Sequence, residues 1–309
     1  MVLHEFPNLQ WLKAQAASRF GNRRGVGGIE LKDPGWPSVI LNTKAHSVVR
    51  DHIIGPLSIF TNLSGTSYVS TGANRAAVTP QTFFITNSQQ PYTLELTNAT
   101  TETFNIHFGD RFVKTALAGI FDSDESMLQS EDGGVQDFGF HNRLVYVSPE
   151  FQNIISAIQE QSDDTLFVDE KLFELLNLLV REQNKVRKIE TRLPSVKGST
   201  REEIIKRLFI TTDYLYTFYN QNPSLDELAA VSCLSKFHFL RLFKTAFNET
   251  PHQFITRLKI EKAKTLLQKT RGDIHVVGAE VGFKDSSSFS RAFKSQVGVY
   301  PSHFRASRN

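Results

Sequence analysis

The chain has 309 residues, of which 40% are hydrophobic and 22% charged. That composition excludes a disordered chain, and the length suits about two domains. No run approaches the roughly 18 apolar residues of a membrane-spanning helix, and the single cysteine, Cys233, excludes an intrachain disulfide.

The net charge of +3 is unevenly spread. Residues 201–309 carry 17 Lys and Arg against 10 Asp and Glu, a net +7, while the remainder carries 18 against 22, a net −4. A basic C-terminal third beside a mildly acidic remainder suits an anionic partner for that third. The N-terminus, MVLHEFPNLQWLK, lacks the pattern of a secretory signal, so a reducing, cytoplasmic setting is expected.

Leu9, Leu12 and Ala16 stand at helical spacing behind Pro7 and predict a short amphipathic helix over Asn8–Phe20. A Gly-rich loop is expected over Gly21–Gly35. From Pro37 to Phe112 the runs SVIL, HSVVR, LSIF, SYVST, TFFIT, YTLEL and TFNIHF read as strands separated by turn residues. Short strands so spaced predict an antiparallel sandwich or small barrel of jelly-roll type, which either encloses one small ligand or is filled by its own core. The polar stretch Arg111–His141, with DSDES and EDGG, predicts a loop with weak helical parts.

Helices then return. Ser148 is a candidate N-cap ahead of Pro149 and Glu150. Leu172, Leu175, Leu176 and Leu179 form a stripe, with Phe173 and Val180 beside it, that is wider than burial against one sheet requires. The stripe packs into the core or, in part, against a second copy. Lys188–Thr200 reads as a linker, and Thr200 as the cap of a helix reaching about Asn220. The expected organisation is a β-barrel over 1–145, a helical dimerisation segment over 146–187, a linker over 188–200 and an all-α domain over 201–309.

That last domain contains an internal repeat. Leu225 answers Ile274, Leu228 answers Val277 and Ala230 answers Ala279, at an offset of 49. After one extra residue Ser235 answers Asp285, Phe239 answers Phe289, Arg241 answers Arg291, Lys244 answers Lys294 and Pro251 answers Pro301. Each copy predicts two short helices about a tight turn, a helix-turn-helix whose second helix enters the major groove of DNA. A continuous helix from Pro251 joins them, with Arg257 and Glu261 as an (i, i+4) pair.

The outer face of the first reading helix carries Lys236, Phe237, His238, Leu240, Arg241, Lys244 and Thr245; the second carries Ser286, Ser287, Ser288, Ser290, Arg291 and Lys294. Arg241 and Arg291 suit bidentate readout of guanine. The serines suit bases or phosphates, Phe237 and Leu240 suit thymine methyls, and Lys236, Lys244 and Lys294 suit phosphates.

The stretch from about 224 to 305 resembles the DNA-binding domain of the AraC/XylS transcription regulators. The resemblance rests on SLDELA, Leu234–Ser235, FLRLFK from Phe239, LKIEKAKTLL from Leu258, VGFKDSSSFSRAFK from Val281 and GVYPSHFR from Gly298. Gly278, Ser288 and Asn248 depart from the family's usual Ala, aromatic and Gly. The resemblance implies a cupin-like N-terminal barrel that senses a small-molecule effector, then dimerisation helices. It implies double-stranded operator DNA, a homodimer and RNA polymerase as partners, and no cofactor, catalytic residue or membrane.

Two alternatives stay open: a constitutive DNA-binding regulator without a ligand, and a cupin-type enzyme fused to a DNA-binding module. The enzyme would gather metal ligands beginning with a His-x-His pair, whereas His46, His52 and His107 are scattered. Cys233 sits in the first helix-turn-helix turn, where a small buried hydrophobe is expected, and does not suit a DNA-repair methyl acceptor.

Overall fold

A computed structural model describes residues 1–7, 35–72, 74–97, 99–122, 138–194, 198–270 and 272–306. The helix expected over Asn8–Phe20, nearly all of the Gly-rich loop, the DSDES run after Asp122 and the EDGG run lie outside the described residues. The chain divides into two units, Met1–Val186 and Arg187–Asn309. No helix of the described residues is long and apolar enough to cross a membrane.

The first unit is strand-rich. Its strands are β1 (Val2–Leu3), β2 (Val39–Ala45), β3 (Val48–Ile54), β4 (Ser58–Ser64), β5 (Ser67–Thr71), β6 (Asn74–Val78), β7 (Thr82–Thr86), β8 (Pro91–Leu96), β9 (Thr101–His107) and β10 (Arg143–Tyr146). They form a six-stranded sheet, β1-β2-β9-β4-β7-β10, and a four-stranded sheet, β3-β8-β5-β6. All pairings are antiparallel except β1 with β2. All seven expected strands are present. The other three are a two-residue strand, the Ala-rich NRAAV of β6 and the short RLVY of β10, none of which carries an alternating apolar pattern long enough to read.

Alternation along β9 divides the six-stranded sheet into two faces. Phe104 and Ile106 join Ile40, Ile59, Phe83 and Ile85 in the main core, which is completed by three helices. These are α1 (Asp110–Asp122), α2 (Pro149–Glu160) and α3 (Thr165–Arg192). Thr103, Asn105 and His107 take the opposite face, toward the second sheet.

Helix α1 is a full helix in place of the loop with weak helical parts expected after Arg111. Its Ala116, Leu117 and Phe121 are buried, with Phe112, Val113 and Ile120 packed beside them. That is a helical stripe, hidden in the sequence by the polar residues on either side. Ser148 caps α2 as expected, its side chain accepting the Phe151 N–H at 3.1 Å.

The leucine stripe of α3 faces inward. Leu172, Leu175, Leu176 and Leu179 are at most 1% exposed and share one core with the sheet and with Phe151, Ile154, Ile155 and Ile158 of α2. Its width comes from packing on two elements at once. Phe173, at 40% exposure, stands outside that core.

Of the linker expected over 188–200, residues through Arg192 continue α3, and the next helix, α4 (Gly198–Phe218), begins at Gly198. Thr200 therefore lies inside α4 and does not cap it. Ile205, Leu208 and Leu215 of α4 are fully buried. The second unit continues through a 3-10 turn (Tyr219–Gln221) to α5 (Leu225–Val231), α6 (Lys236–Phe247), α7 (Pro251–Lys269), α8 (Ile274–Glu280), α9 (Ser286–Val297) and α10 (Pro301–Ala306). Arg257 takes its close ion pair with Glu249 at 2.7 Å and keeps a longer-range attraction to the expected Glu261, which itself pairs with Lys264 at 2.7 Å.

Candidate nucleic-acid interface and inter-sheet cavity

The two copies fold alike. Helices α5 and α8 have seven residues each, and α6 and α9 have twelve each. Ser224 caps α5 in a capping box with Glu227, and Asp273 caps α8. Asp285 Oδ1 accepts the Ser288 N–H at 2.8 Å and caps α9. Ser235 occupies the same place before α6, but its hydroxyl makes no capping bond. Asn248 (φ 58°) and Gly298 (φ 87°) end the reading helices in the left-handed conformation.

Phe239, Leu242 and Phe243 of α6 are buried, as are Phe289 and Phe293 of α9. In the first copy Phe243 meets Phe254 of α7 edge-to-face at 5.6 Å. In the second, Phe289 and Phe293 pack with Ile260, Ala263 and Leu267 of α7. The joining helix thus serves as floor to both copies. At Gly278 a Cβ would stand 2.9 Å from Cδ1 of Phe289, so its absence lets α9 approach closely.

The turns match as well. Cys233 N–H bonds Ala230 O and Leu234 N–H bonds Ala229 O, both at 3.0 Å. Gly282 and Phe283 repeat these bonds to Ala279 and Gly278 at 2.9 Å. The turn residue is left-handed in both, Cys233 at φ 52° and Gly282 at φ 87°. Cys233 is therefore exposed, not the buried hydrophobe expected, because the left-handed turn residue turns its side chain outward. Cys233→Gly removes the steric cost of a left-handed side chain, partly offset by greater chain entropy on unfolding, for a net gain of about 0.5 kcal/mol. The expected readout is a higher urea midpoint at unchanged slope.

The predicted contact residues fall into three groups. Phe237 (86% exposed), Arg241, Lys244, Ser286, Ser287, Arg291 and Lys294 are exposed on the outer faces. Among the described residues Arg241 and Lys244 have no ion pair. Arg291 donates weakly from Nε to Ser287 O at 3.4 Å, and Lys294 Nζ sits 4.4 Å from the centre of the Tyr300 ring. His238, Leu240, Thr245 and Ser290 are half-buried. Lys236 and Ser288 are engaged within the fold. Lys236 Nζ pairs with Asp226 at 2.6 Å, and Ser288 gives both its N–H and its hydroxyl to Asp285 at 2.8 Å.

A second site lies in the first unit, where the sequence assigns no ligand-binding residue. A cavity of about 450 Å³ opens between the sheets, within the size range of small-molecule sites. Phe6, Trp36, Val39, Leu41, Phe60 and Leu94 supply apolar walls, and Arg50, Tyr92, Asn105 and His107 supply polar groups.

Burial pushes the Tyr92 phenol up and holds the His107 imidazole down at about 4, so both are neutral at pH 7. Ser58 Oγ donates to Pro56 O at 2.8 Å and so accepts from His107 Nδ1, also at 2.8 Å. The proton of the neutral ring therefore sits on Nδ1, leaving Nε2 as an acceptor. Asn105 is 1% exposed, and neither Nδ2 nor Oδ1 has a partner among the described residues. Each unmet group costs about 1–3 kcal/mol. The sequence signal was the Asn105-x-His107 spacing, which puts two polar groups on one face of an otherwise apolar strand.

The model of a helix-turn-helix domain family matches residues 228–307. The raffinose operon transcriptional regulatory protein RafR of Pediococcus pentosaceus is 34% identical over 98 residues, 32% of this chain and 35% of that protein. The MmsAB operon regulatory protein of Pseudomonas aeruginosa is 39% identical over 92 residues, 30% of each chain. The crystallised DNA-binding domain of AdpA, solved with a target DNA, aligns with 33% of this chain and 91% of its own at 22% identity and a TM-score of 0.32. The chain spans about a third of the length of these two curated relatives. With two capped helix-turn-helix copies on one joining helix and this match across them, residues 228–307 form a helix-turn-helix domain similar to those of these transcription regulators.

Proposed function

We propose that the chain is a sequence-specific DNA-binding transcription regulator in which α6 and α9 enter successive major grooves, about 34 Å apart, under the control of a small molecule held in the first unit. The observation that carries this reading is the pair Arg241 and Arg291. They occupy equivalent places on two matched helices, both exposed and neither in a close ion pair among the described residues. A net charge of +7 over 201–309 suits the phosphate backbone.

The two faces differ: Phe237, Leu240 and Arg241 on one, serines around Arg291 on the other. Each chain then reads a contiguous asymmetric site. The strand order of the two sheets is compatible with a cupin-like jelly roll, and the cavity with its unpaired Asn105 favours a sensor over a constitutive regulator. One chain already presents two reading heads, and the leucines of α3 lend no support to a homodimer because they are spent in its own core.

The test uses an operator selected from a random duplex library. Arg291→Ala should cost about 1–3 kcal/mol on that operator and relax selection at one base position. Lys294→Ala should weaken operator and random DNA alike and reduce the salt slope by about 1. Identical binding curves for the two variants would sink the assignment.

A further inference from the structure

The inward faces of the sheets carry several polar side chains, and nearly all are paired. Thr43 and Thr103 bond each other at 2.9 Å. Asn62 donates to Val78 O at 2.9 Å and accepts from Ser67 at 3.0 Å. Ser58 lies between Pro56 O and His107. Thr86 Oγ1 is also unpaired but lies away from the cavity, whereas Asn105 lines it with both ends of its carboxamide unmet. Among the described residues nothing pairs with Asn105, and the side of it left open is the cavity.

From this geometry we infer that the cavity takes an uncharged amphipathic molecule with an amide-like head, a donor and an acceptor side by side, set against Asn105 and His107. The inference rests on the sensor reading of the first unit.

The chemistry selects the head group. A carboxamide offers a donor and an acceptor together, and only a group that offers both satisfies it. A carboxylate would meet Nδ2 but set negative charge against Oδ1 and against the Nε2 lone pair of His107. An ammonium would meet Oδ1 and His107 but leave Nδ2 empty. A carboxylate would also need a cation in the depth of the cavity. The one lining cation among the described residues is Arg50, an exposed guanidinium over the Phe6 ring at 5.0 Å from its centre. The body is selected by the walls, where Phe6, Trp36 and Phe60 present aromatic surface.

The experiment titrates the full-length chain by calorimetry with three molecules of one shape: phenylacetamide, phenylacetate and isobutylbenzene. Phenylacetamide should bind at least about 10-fold tighter than either of the others, a difference of one hydrogen-bonded head group. Asn105→Leu should lose that advantage by a similar factor and gain affinity for isobutylbenzene. Its melting temperature should also rise by a few degrees, because an unmet polar pair leaves the core. A wild-type chain that prefers phenylacetate or isobutylbenzene overturns the ligand class and leaves the sensor reading standing. So does an Asn105→Leu chain that binds phenylacetamide unchanged. Binding of none of the three at millimolar concentration overturns both.

Discussion

Gly282→Ala should unfold the second unit at temperatures where the wild-type chain is intact. Gly282 has φ 87°, and a Cβ there would lie 2.3 Å from Asn220 O and 2.7 Å from Asn220 Cα. Both are backbone atoms, so no side chain can swing aside. The Gly282 carbonyl accepts from Asn222 Nδ2 at 3.1 Å and from Lys259 Nζ at 2.7 Å. Lys259 is 4% exposed, and Asn222 Oδ1 is its other acceptor.

Burial pushes its ammonium down to about 8, still charged at neutral pH, and these oxygens hold that charge. Parting the two backbones strips a buried ammonium of partners, which costs about 3 kcal/mol, and the left-handed alanine adds about 1. A loss of about 4 kcal/mol is a large share of the 5–15 kcal/mol that typically holds a domain together. The control is built into the repeat: Cys233→Ala, at the equivalent turn, should shift stability by less than about 0.5 kcal/mol. Helical ellipticity and operator binding at 37 °C should be lost for Gly282→Ala and kept for Cys233→Ala. Equal behaviour would mean that the Asn220 contact does not constrain the turn.

The same comparison shows why the repeat was legible and the cavity was not. Caps, left-handed ends and the aromatic ladder are local chemistry, and duplication made each one visible twice: Asp273 beside Ser224, Gly298 beside Asn248, Phe289 beside Phe239. The tight turn of each copy, which Gly282 makes in the second, was legible too. Its clash with Asn220 was not, because that contact spans 62 positions. Helix α1 read only as a weak helical part of a loop because charges flank an apolar stripe of only three turns, and burial against the sheet stabilises it more than its own propensity does. The spacing of Asn105 and His107 could be read from one strand. That Asn105 is unpaired depends on what β3 and β8 place opposite it, which no local pattern encodes. Lys236 shows the same limit at the interface, since its partner Asp226 sits on another helix.

Acid should weaken the first unit through His107. Its imidazole titrates near 6.5 in an unfolded chain and at about 4 in the fold, where burial disfavours the charged ring. Between these values the unfolded chain holds a proton that the folded chain lacks, so stability falls as pH drops from about 6.5 toward 4. The loss over that window is up to about 3 kcal/mol. Trp36 lines the same cavity, and both tryptophans precede residue 187, so tryptophan fluorescence in urea follows this unit alone.

His107→Asn keeps an N–H donor toward Ser58 without a titrating ring, and its midpoint should be flat over the same window apart from the carboxylates common to both proteins. Asp51 is one of these, held below its usual range by the Thr93 hydroxyl and His52. A wild-type slope no steeper than that of His107→Asn would place the proton elsewhere. The ligand follows the same ring. Nε2 keeps its lone pair from pH 7 down to about 5, so binding of a neutral amide should be constant there. Once the imidazolium forms, the acceptor becomes a donor, and the amide N–H that it received has nowhere to go.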